Sequence, residues 1–467
     1  MEAIPVPLSD RPNPVDNLRT RTFFISRNRL DNDILKRGLD TLIREHWRKL
    51  GGRLVTSQET KQLEYHVPHM FEEGYVLFNW TSKIVENSIH DTEELSKLIS
   101  PGQKIDLLPS MDEIDKLLRP SDWPYERKHE PPNSPLLYVH LTIFNDSTAV
   151  AISCPHTVAD QSGLGNIVKA WLGLVEGRPP PAMIGYSDDV LASEESNIES
   201  FQKEDREGRM RVRNRWDQTL VVAGIVLDLV KNMKEESHVV FMPIQLVQSL
   251  RERITKTLAD TYEVAPDISN GDVLTAVFTK LAQMHDESKR TIDLSQTINL
   301  RGRIPSLPKE TCDGFIHNSV HYATSTFQYN PSTPLHDIAL YNRKAINKAL
   351  EESDIKSGVR ALREVAQHGQ VMLICEPFHK LYSASNWCGA WQGIDFSKAA
   401  KEPTENSGDG QELIVLGQSK AARTPGRNRI VIMCRTNEGF WCDFAAPLKA
   451  MPFIREHLAS DPLLERL

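Results

Sequence analysis

No C-x-x-C pair occurs among the six cysteines, which stand far apart at Cys154, Cys312, Cys375, Cys388, Cys434 and Cys442. Such spacing excludes a disulfide framework and a zinc ribbon, and it predicts reduced thiols in a cytoplasmic protein. Long apolar runs are missing too: the longest, Leu220–Val230, is about half a membrane span and contains Asp228. Met1 to Pro14 carries prolines and charges but no apolar signal core, so a soluble, unexported chain with no membrane partner is expected. An excess of base is lacking as well. With 55 Lys+Arg against 63 Asp+Glu the net charge is −8, which argues against nucleic acid as the partner. There is no Walker loop, no G-x-S-x-G elbow and no H-E-x-x-H, so nucleotide hydrolysis, serine hydrolysis and zinc proteolysis lose their commonest signatures. Gly163-Leu164-Gly165 opens a helix after a strand, but the third glycine of a dinucleotide fingerprint is Val168. His66 and His69 have no third ligand in view, and no metal is expected.

What the chain does have is length and alternating elements. At 467 residues it exceeds one ordinary core, so two halves sharing a cleft are expected. Asn32 and Asp33 are candidate caps for a helix with Leu35, Leu39, Leu42, Ile43 and Trp47 at helical spacing, stopped by Gly51-Gly52. Short strands follow at Leu63–Val67 and Tyr75–Trp80. Leu136–Phe144 and Ser147–Cys154, separated by Asn145-Asp146, read as a hairpin. A helix then runs from Ser162, its expected cap, to Gly177.

Residues 1–195 form the expected first domain and 196–237 a charged crossover, where Arg206, Arg209, Arg211, Arg213 and Arg215 read as a solvated face. The second domain, 238–467, again mixes strands and helices, with strands expected at Thr291–Leu300, Ser319–Thr326, Val371–Cys375 and Glu412–Leu416. A segment near 371–395 is expected to join the first domain's sheet. The fold class is therefore α/β, two similar mixed-sheet domains with a channel between them.

Chemistry concentrates at His156 and Asp160, in the loop between a strand and a helix, where rigid elements on both sides can position catalytic groups. The spacing H-x-x-x-D proves little, since about one chance copy is expected in a chain of this composition. A second copy indeed stands at His457 and Asp461, in the closing helix.

An ordered series of further motifs accompanies the first. Leu50-Gly51-Gly52-Arg53-Leu54 ends the first helix. Asn270-Gly271-Asp272-Val273-Leu274 starts a helix in the second half, and Ile298-Asn299-Leu300-Arg301-Gly302-Arg303 ends a strand. Gly314-Phe315-Ile316-His317-Asn318 and Ser385-Asn386-Trp387 follow, and eight residues beyond Trp387 comes Asp395-Phe396. In this order the motifs resemble the BAHD family of acyl-CoA-dependent acyltransferases over nearly the full chain, in a divergent branch more similar to fungal secondary-metabolite enzymes than to plant ones. Gln161 stands where that family has glycine, His317 replaces another glycine, and the glycine and tryptophan expected after Asp395-Phe396 are missing.

The resemblance implies a chloramphenicol acetyltransferase-like fold and a monomer. It implies transfer of an acyl group, acetyl in the simplest case, from acyl-CoA to a hydroxyl of a small-molecule alcohol in a ternary complex, with no permanently bound cofactor. His156 would be the general base, with Trp387 and the Ser385 hydroxyl as donors to the thioester oxygen. Asp160 would pair with Arg301, while Asn318 and Asp395 belong to structural motifs. Asn270 and Arg303 are the residues offered to coenzyme A. Two alternatives stay open: a catalytically silent scaffold or binding protein, and a condensation-type enzyme fed by a carrier protein. The latter is disfavoured because Pro155 replaces the first of two histidines.

Overall fold

The computed structural model describes residues 1–194, 210–263, 266–401, 413–421 and 428–467. Two mixed sheets carry the architecture. The first has the order Ile414–Gln418, Arg19–Ser26, Thr148–Pro155, Tyr138–Ile143, Asn79–Ile84. The second runs Val320–Tyr329, Arg290–Asn299, Lys380–Asn386, Arg429–Arg435, Gly439–Pro447, Glu235–Pro243, Asp106–Leu108. The α/β class and the paired sheets agree with the expectation. A small third sheet, Glu2–Pro5, Leu63–Val67 and Arg53–Thr56, flanks the first.

The hairpin forms as its sequence predicts. Ile143 pairs with Thr148 across the Asn145-Asp146 turn, and the ladder continues to Tyr138 opposite Ser153. Every residue of Thr148–Pro155 is buried, because the strand lies between neighbours on both edges and carries alanine, valine and isoleucine where bulk must match. The strand therefore reaches its C-terminal end, and His156, with no slack.

Several expectations need correction. The segment expected to cross into the first sheet is a different one. Lys380–Asn386 lies inside the second sheet, parallel to both Arg290–Asn299 and Arg429–Arg435. The strand that crosses is Ile414–Gln418, antiparallel to Arg19–Ser26. The physical reason is burial: all five of its residues are buried once it covers the edge of the first sheet, which removes an exposed edge. In return Asp106–Leu108, from the first half, closes the opposite edge of the second sheet against Glu235–Pro243.

Val371–Cys375 forms no ladder, only a bridge from Val371 to Asn13. The strand expected at Tyr75–Trp80 starts later, at Asn79. Asp31, not Asn32 or Asp33, caps the first helix, accepting from Asp33 N and Ile34 N. In the crossover, Arg215–Lys231 is a helix capped by Asn214, and Arg211 and Arg213 are not a solvated face but pair with Glu376 and Asp217. The expected boundary after residue 195, with Arg206 and Arg209, lies outside the described residues.

Candidate active site

At the end of Thr148–Pro155 the backbone turns, and His156 N donates to Leu18 O at 2.8 Å. Its own carbonyl accepts from Asn318 Nδ2 at 2.8 Å. Both peptide groups of the histidine are thereby held, one by each half of the chain. In the ring, Nδ1 is sealed from solvent without a hydrogen-bond partner among the described residues. Nε2 is left as the nitrogen that meets the adjoining cavity, whose walls include His156, Ser385 and Trp387 and whose volume is about 290 Å³.

Asp160 does not reach the imidazole. Its Oδ1 accepts from Gly163 N at 2.7 Å, and its Oδ2 accepts from Arg301 Nη1 at 2.9 Å and Ser319 N at 3.0 Å. The residue is thus the N-cap of the helix Gln161–Val175, the position expected for Ser162, and simultaneously the partner of Arg301. A serine two residues on satisfies the same sequence rule, but only a carboxylate can cap and neutralise a guanidinium at once. Arg301 is further held by Asn299 Oδ1 at 3.0 Å and Phe315 O at 3.3 Å.

The helix can approach this closely because of two glycines. A Cβ at Gly163 would stand 1.8 Å from Ile316 O, and one at Gly165 would stand 2.3 Å from Ala390 O. Gly163 and Gly165 serve packing of the two halves, which accounts for the Gly-x-Gly pattern.

Ser385 lies on the inner strand Lys380–Asn386, two residues from Trp387, whose indole Nε1 donates to Ser385 Oγ at 2.9 Å. The indole hydrogen is consumed in that bond. The serine's own hydrogen keeps no protein acceptor among the described residues, and both side chains line the cavity. Cys154, two residues before His156, is no alternative nucleophile: burial pushes its thiol up to about 12.

Other expected residues lie elsewhere. Asp395 is exposed and accepts from Ser397 N at 2.8 Å, stabilising a local turn that buries Phe396 against Phe24 and Trp171. Asn270 is not a cap, since Ser269 and Asp272 form the capping box of that helix. Neither Asn270 nor Arg303 lines the cavity. Arg303 has its pKa lowered by burial first and by the neighbouring Arg343 second. His457 and Asp461 sit 3.5 Å apart on the closing helix, away from the cavity, with Asp461 accepting from Glu465 N and Arg466 N. No group of His, Cys, Asp and Glu that could hold a metal ion occurs among the described residues, nor does a helix there have the length and apolarity to cross a membrane.

Sequence reasoning missed a buried cluster behind the loop. Asp10, Lys49 and His317 are each at most 1 % exposed. His317 Nδ1 lies 2.6 Å from Asp10 Oδ2, and His317 Nε2 lies 2.8 Å from Lys49 Nζ. The one signal in the sequence is His317 in place of a family glycine; nothing in the sequence analysis singles out Asp10 or Lys49. Gln161 was noted only as a departure. It is buried, its Oε1 accepts from Thr22 Oγ1 at 3.2 Å, and it borders the cavity.

The histidine thus stands at the end of an inner strand beside a cavity, its loop clamped by an aspartate–arginine pair. The Transferase family matches residues 107–397, and the chain belongs to it, that is, to the BAHD acyltransferases. It is an acyl-CoA-dependent acyltransferase. Acetyltransferase adrJ of Penicillium rubens is 26% identical over 81% of this chain and 78% of its own length. Acetyltransferase sphE of Aspergillus fumigatus is 26% identical over 92% of this chain and 90% of its own. Among solved structures, TRI101 of F. sporotrichioides complexed with coenzyme A and T-2 superposes with a TM-score of 0.67 at 13% identity, covering 98% of this chain and 97% of that one. The fold is the chloramphenicol acetyltransferase-like one.

Proposed function

We propose that the protein moves an acyl group, acetyl in the first instance, from acyl-CoA to a hydroxyl of a small-molecule secondary metabolite, with His156 as general base. The observation that carries the reading is the cavity shared by His156 Nε2 and the Ser385 hydroxyl. An alcohol is almost wholly protonated at neutral pH, so a neutral imidazole must take its proton as it attacks. With Nδ1 carrying the ring hydrogen, the Nε2 lone pair accepts the hydroxyl proton while the oxygen bonds to the thioester carbon. Charge then develops on the thioester oxygen, and the Ser385 O–H donates to it, polarised by the Trp387 indole behind it. On collapse the C–S bond breaks, and the imidazolium returns its proton to the departing thiolate, releasing ester and free coenzyme A.

The walls support one class of acceptor. Pro12, Pro14, Val15, Leu362, Met372 and Ile374 are apolar, and among the described residues the only carboxylate bordering the cavity, Asp160, is neutralised by Arg301. Such a site favours an uncharged, largely apolar alcohol, because an unpaired charge there would lose its hydration without compensation. The same proposal places the two halves at 1–195 and 238–467 and has the protein work as a cytoplasmic monomer. The six cysteines, which carry no disulfide, fit a reducing compartment. Arg303, beside Arg343, remains the candidate for a coenzyme A phosphate, with Asn270 the second candidate contact.

The test is thiol release from acetyl-CoA with a panel of apolar alcohols. Wild type should release coenzyme A, and His156→Ala should lower kcat by about 10²–10⁴-fold with little change in KM for acetyl-CoA. A folded His156→Ala enzyme of unaltered kcat refutes the base. A wild type that turns over only carrier-bound acyl groups, or none, refutes the donor and returns the protein to the condensation or scaffold reading.

A further inference from the structure

The buried cluster of Asp10, His317 and Lys49 touches no part of the cavity, yet it grips the histidine loop from behind. Asp10 Oδ1 accepts from both Asn318 N at 2.7 Å and Asn318 Nδ2 at 2.6 Å. The same Nδ2 donates to His156 O. The backbone carbonyl of Asp10 accepts from Thr157 Oγ1 at 2.7 Å, so the residue next to the catalytic histidine is anchored to Asp10 as well. One aspartate therefore joins the His156 loop to the Gly314–Asn318 turn of the second half.

The remaining oxygen of Asp10 has one partner, His317 Nδ1. An ionised carboxylate accepts only, so Nδ1 carries a hydrogen; Nε2 lies 2.8 Å from Lys49 Nζ and 3.2 Å from Gly185 O, and in the neutral ring it presents its lone pair to the lysine. Lys49 Nζ donates to that lone pair and also to Gly185 O at 3.0 Å, while its ammonium sits 4.6 Å from the centre of the Tyr65 ring. With Asp10 ionised, His317 neutral and Lys49 charged, each of these donors meets an acceptor. A buried network whose donors all meet acceptors is rigid.

We propose that Asp10, held in place by His317 and Lys49, is the positioning residue that sets the catalytic histidine, acting through Asn318 and Thr157. The inference rests on His156 being the base. Lys49 is the group through which pH reaches the cluster. Burial lowers its pKa to about 8 against the opposing pull of Asp10, Asp189, Asp188 and Glu2. His317 is lowered by burial first and by the Lys49 charge second, with Asp10 opposing, which keeps it neutral. Asp189 is itself paired with Arg363. Below pH ~8 the lysine is charged and the pattern is complete; as pH rises through that value the charge facing His317 is lost.

Substituting Asp10→Asn puts an amide N–H against His317 Nδ1. The imidazole must then move its hydrogen to Nε2, where it opposes the Lys49 ammonium 2.8 Å away and competes with it for Gly185 O. A misplacement of about 1 Å can cost roughly 100-fold in rate. Asp10→Asn should therefore lower kcat by about 10- to 100-fold with KM for acetyl-CoA within about twofold. The alkaline limb of kcat should be lost or inverted, because deprotonation of Lys49 now relieves the opposed donors. In the double variant Asp10→Asn with Lys49→Met the opposed donors are gone, and part of the lost kcat should return. Lys49→Met alone, with folding confirmed by circular dichroism, should lose the alkaline limb near pH 8. Wild-type kcat in a folded Asp10→Asn enzyme overturns the proposal, as does a loss that leaves the limb unmoved and is not relieved by the second substitution. If Asp10→Asn does not fold, an unchanged limb in folded Lys49→Met overturns it. An active His156→Ala enzyme would instead sink the base assignment, so the two failures are distinguishable.

Discussion

Replacing Asp160 with alanine separates a clamp from a catalytic partner. The carboxylate takes three hydrogen bonds, from Gly163 N, Arg301 Nη1 and Ser319 N, at 2.7, 2.9 and 3.0 Å. Loss of the helix cap costs about 1 kcal/mol. Stranding a buried guanidinium costs about 3–5 kcal/mol, here toward the lower end because Arg301 keeps Asn299 Oδ1 and Phe315 O as acceptors. Together Asp160→Ala should lose about 4 kcal/mol of stability in urea denaturation. Asparagine would recover part of this, since its oxygen can meet Arg301 and Ser319 N, but its amide would then face the Gly163 donor and the charge would stay unpaired. Arg301→Met should also be destabilising, but combined with Asp160→Ala it should cost about 2 kcal/mol less than the sum, the coupling expected of a buried pair. What activity the folded fraction retains should show a pH profile like that of wild type. The clamp reading is refuted if Asp160→Ala keeps stability within about 1 kcal/mol of wild type while kcat falls about 10³-fold or more, the signature of a group acting in the transition state.

Three other outcomes follow from particular contacts. Ser385→Ala should lower kcat by about 10²–10³-fold as an oxyanion donor, whereas Trp387→Phe, which acts through that serine, should cost less; equal losses in steady-state kinetics would contradict the order. Gly163→Ala should yield a protein with a clearly lower melting temperature or none that is soluble, because its Cβ meets a backbone oxygen that cannot swing aside. Against the upward push of burial, hydrogen bonds from Arg211 and Arg213 hold Glu376 down to about 2. A depressed carboxylate contributes stability that is complete above its unfolded value, 4.5, and lost as pH falls toward 2. Arg211→Gln should reduce that acid dependence, read as the change in melting temperature between about pH 5 and pH 3.

Much of the local structure was legible because it depends on neighbours in sequence. The hairpin that delivers His156 announces itself by two β-branched runs about a two-residue turn, and the helix after it by spacing and terminal glycine. The pairing of Asp160 with Arg301 came only through the resemblance, since no local pattern joins residues so far apart. Ser162 and Asp160 were equally good caps by rule, and the choice was made by an arginine in the other half. Asp10 and Lys49 went unseen for the same reason: in a proline-rich start and a helix end a charge reads as solvated, and nothing nearby reveals the histidine that buries it. Glu412–Leu416 reads as a strand, and one forms at Ile414–Gln418, but nothing in so short a run tells which sheet it joins, and Asp106–Leu108 is too short for period to speak.

That exchange also bears on how the chain comes off the ribosome. On one side Arg19–Ser26 pairs with Thr148–Pro155, but its other side is covered by Ile414–Gln418, so the first sheet keeps an open edge until nearly the whole polypeptide has been made. The amino-terminal half must wait in an incomplete state, with apolar strand exposed to other nascent chains. A fragment ending at the crossover should aggregate, while co-expression with the missing half should restore a soluble complex. For this enzyme, synthesis order and catalytic competence are tied: the histidine is translated early, and its cleft closes last.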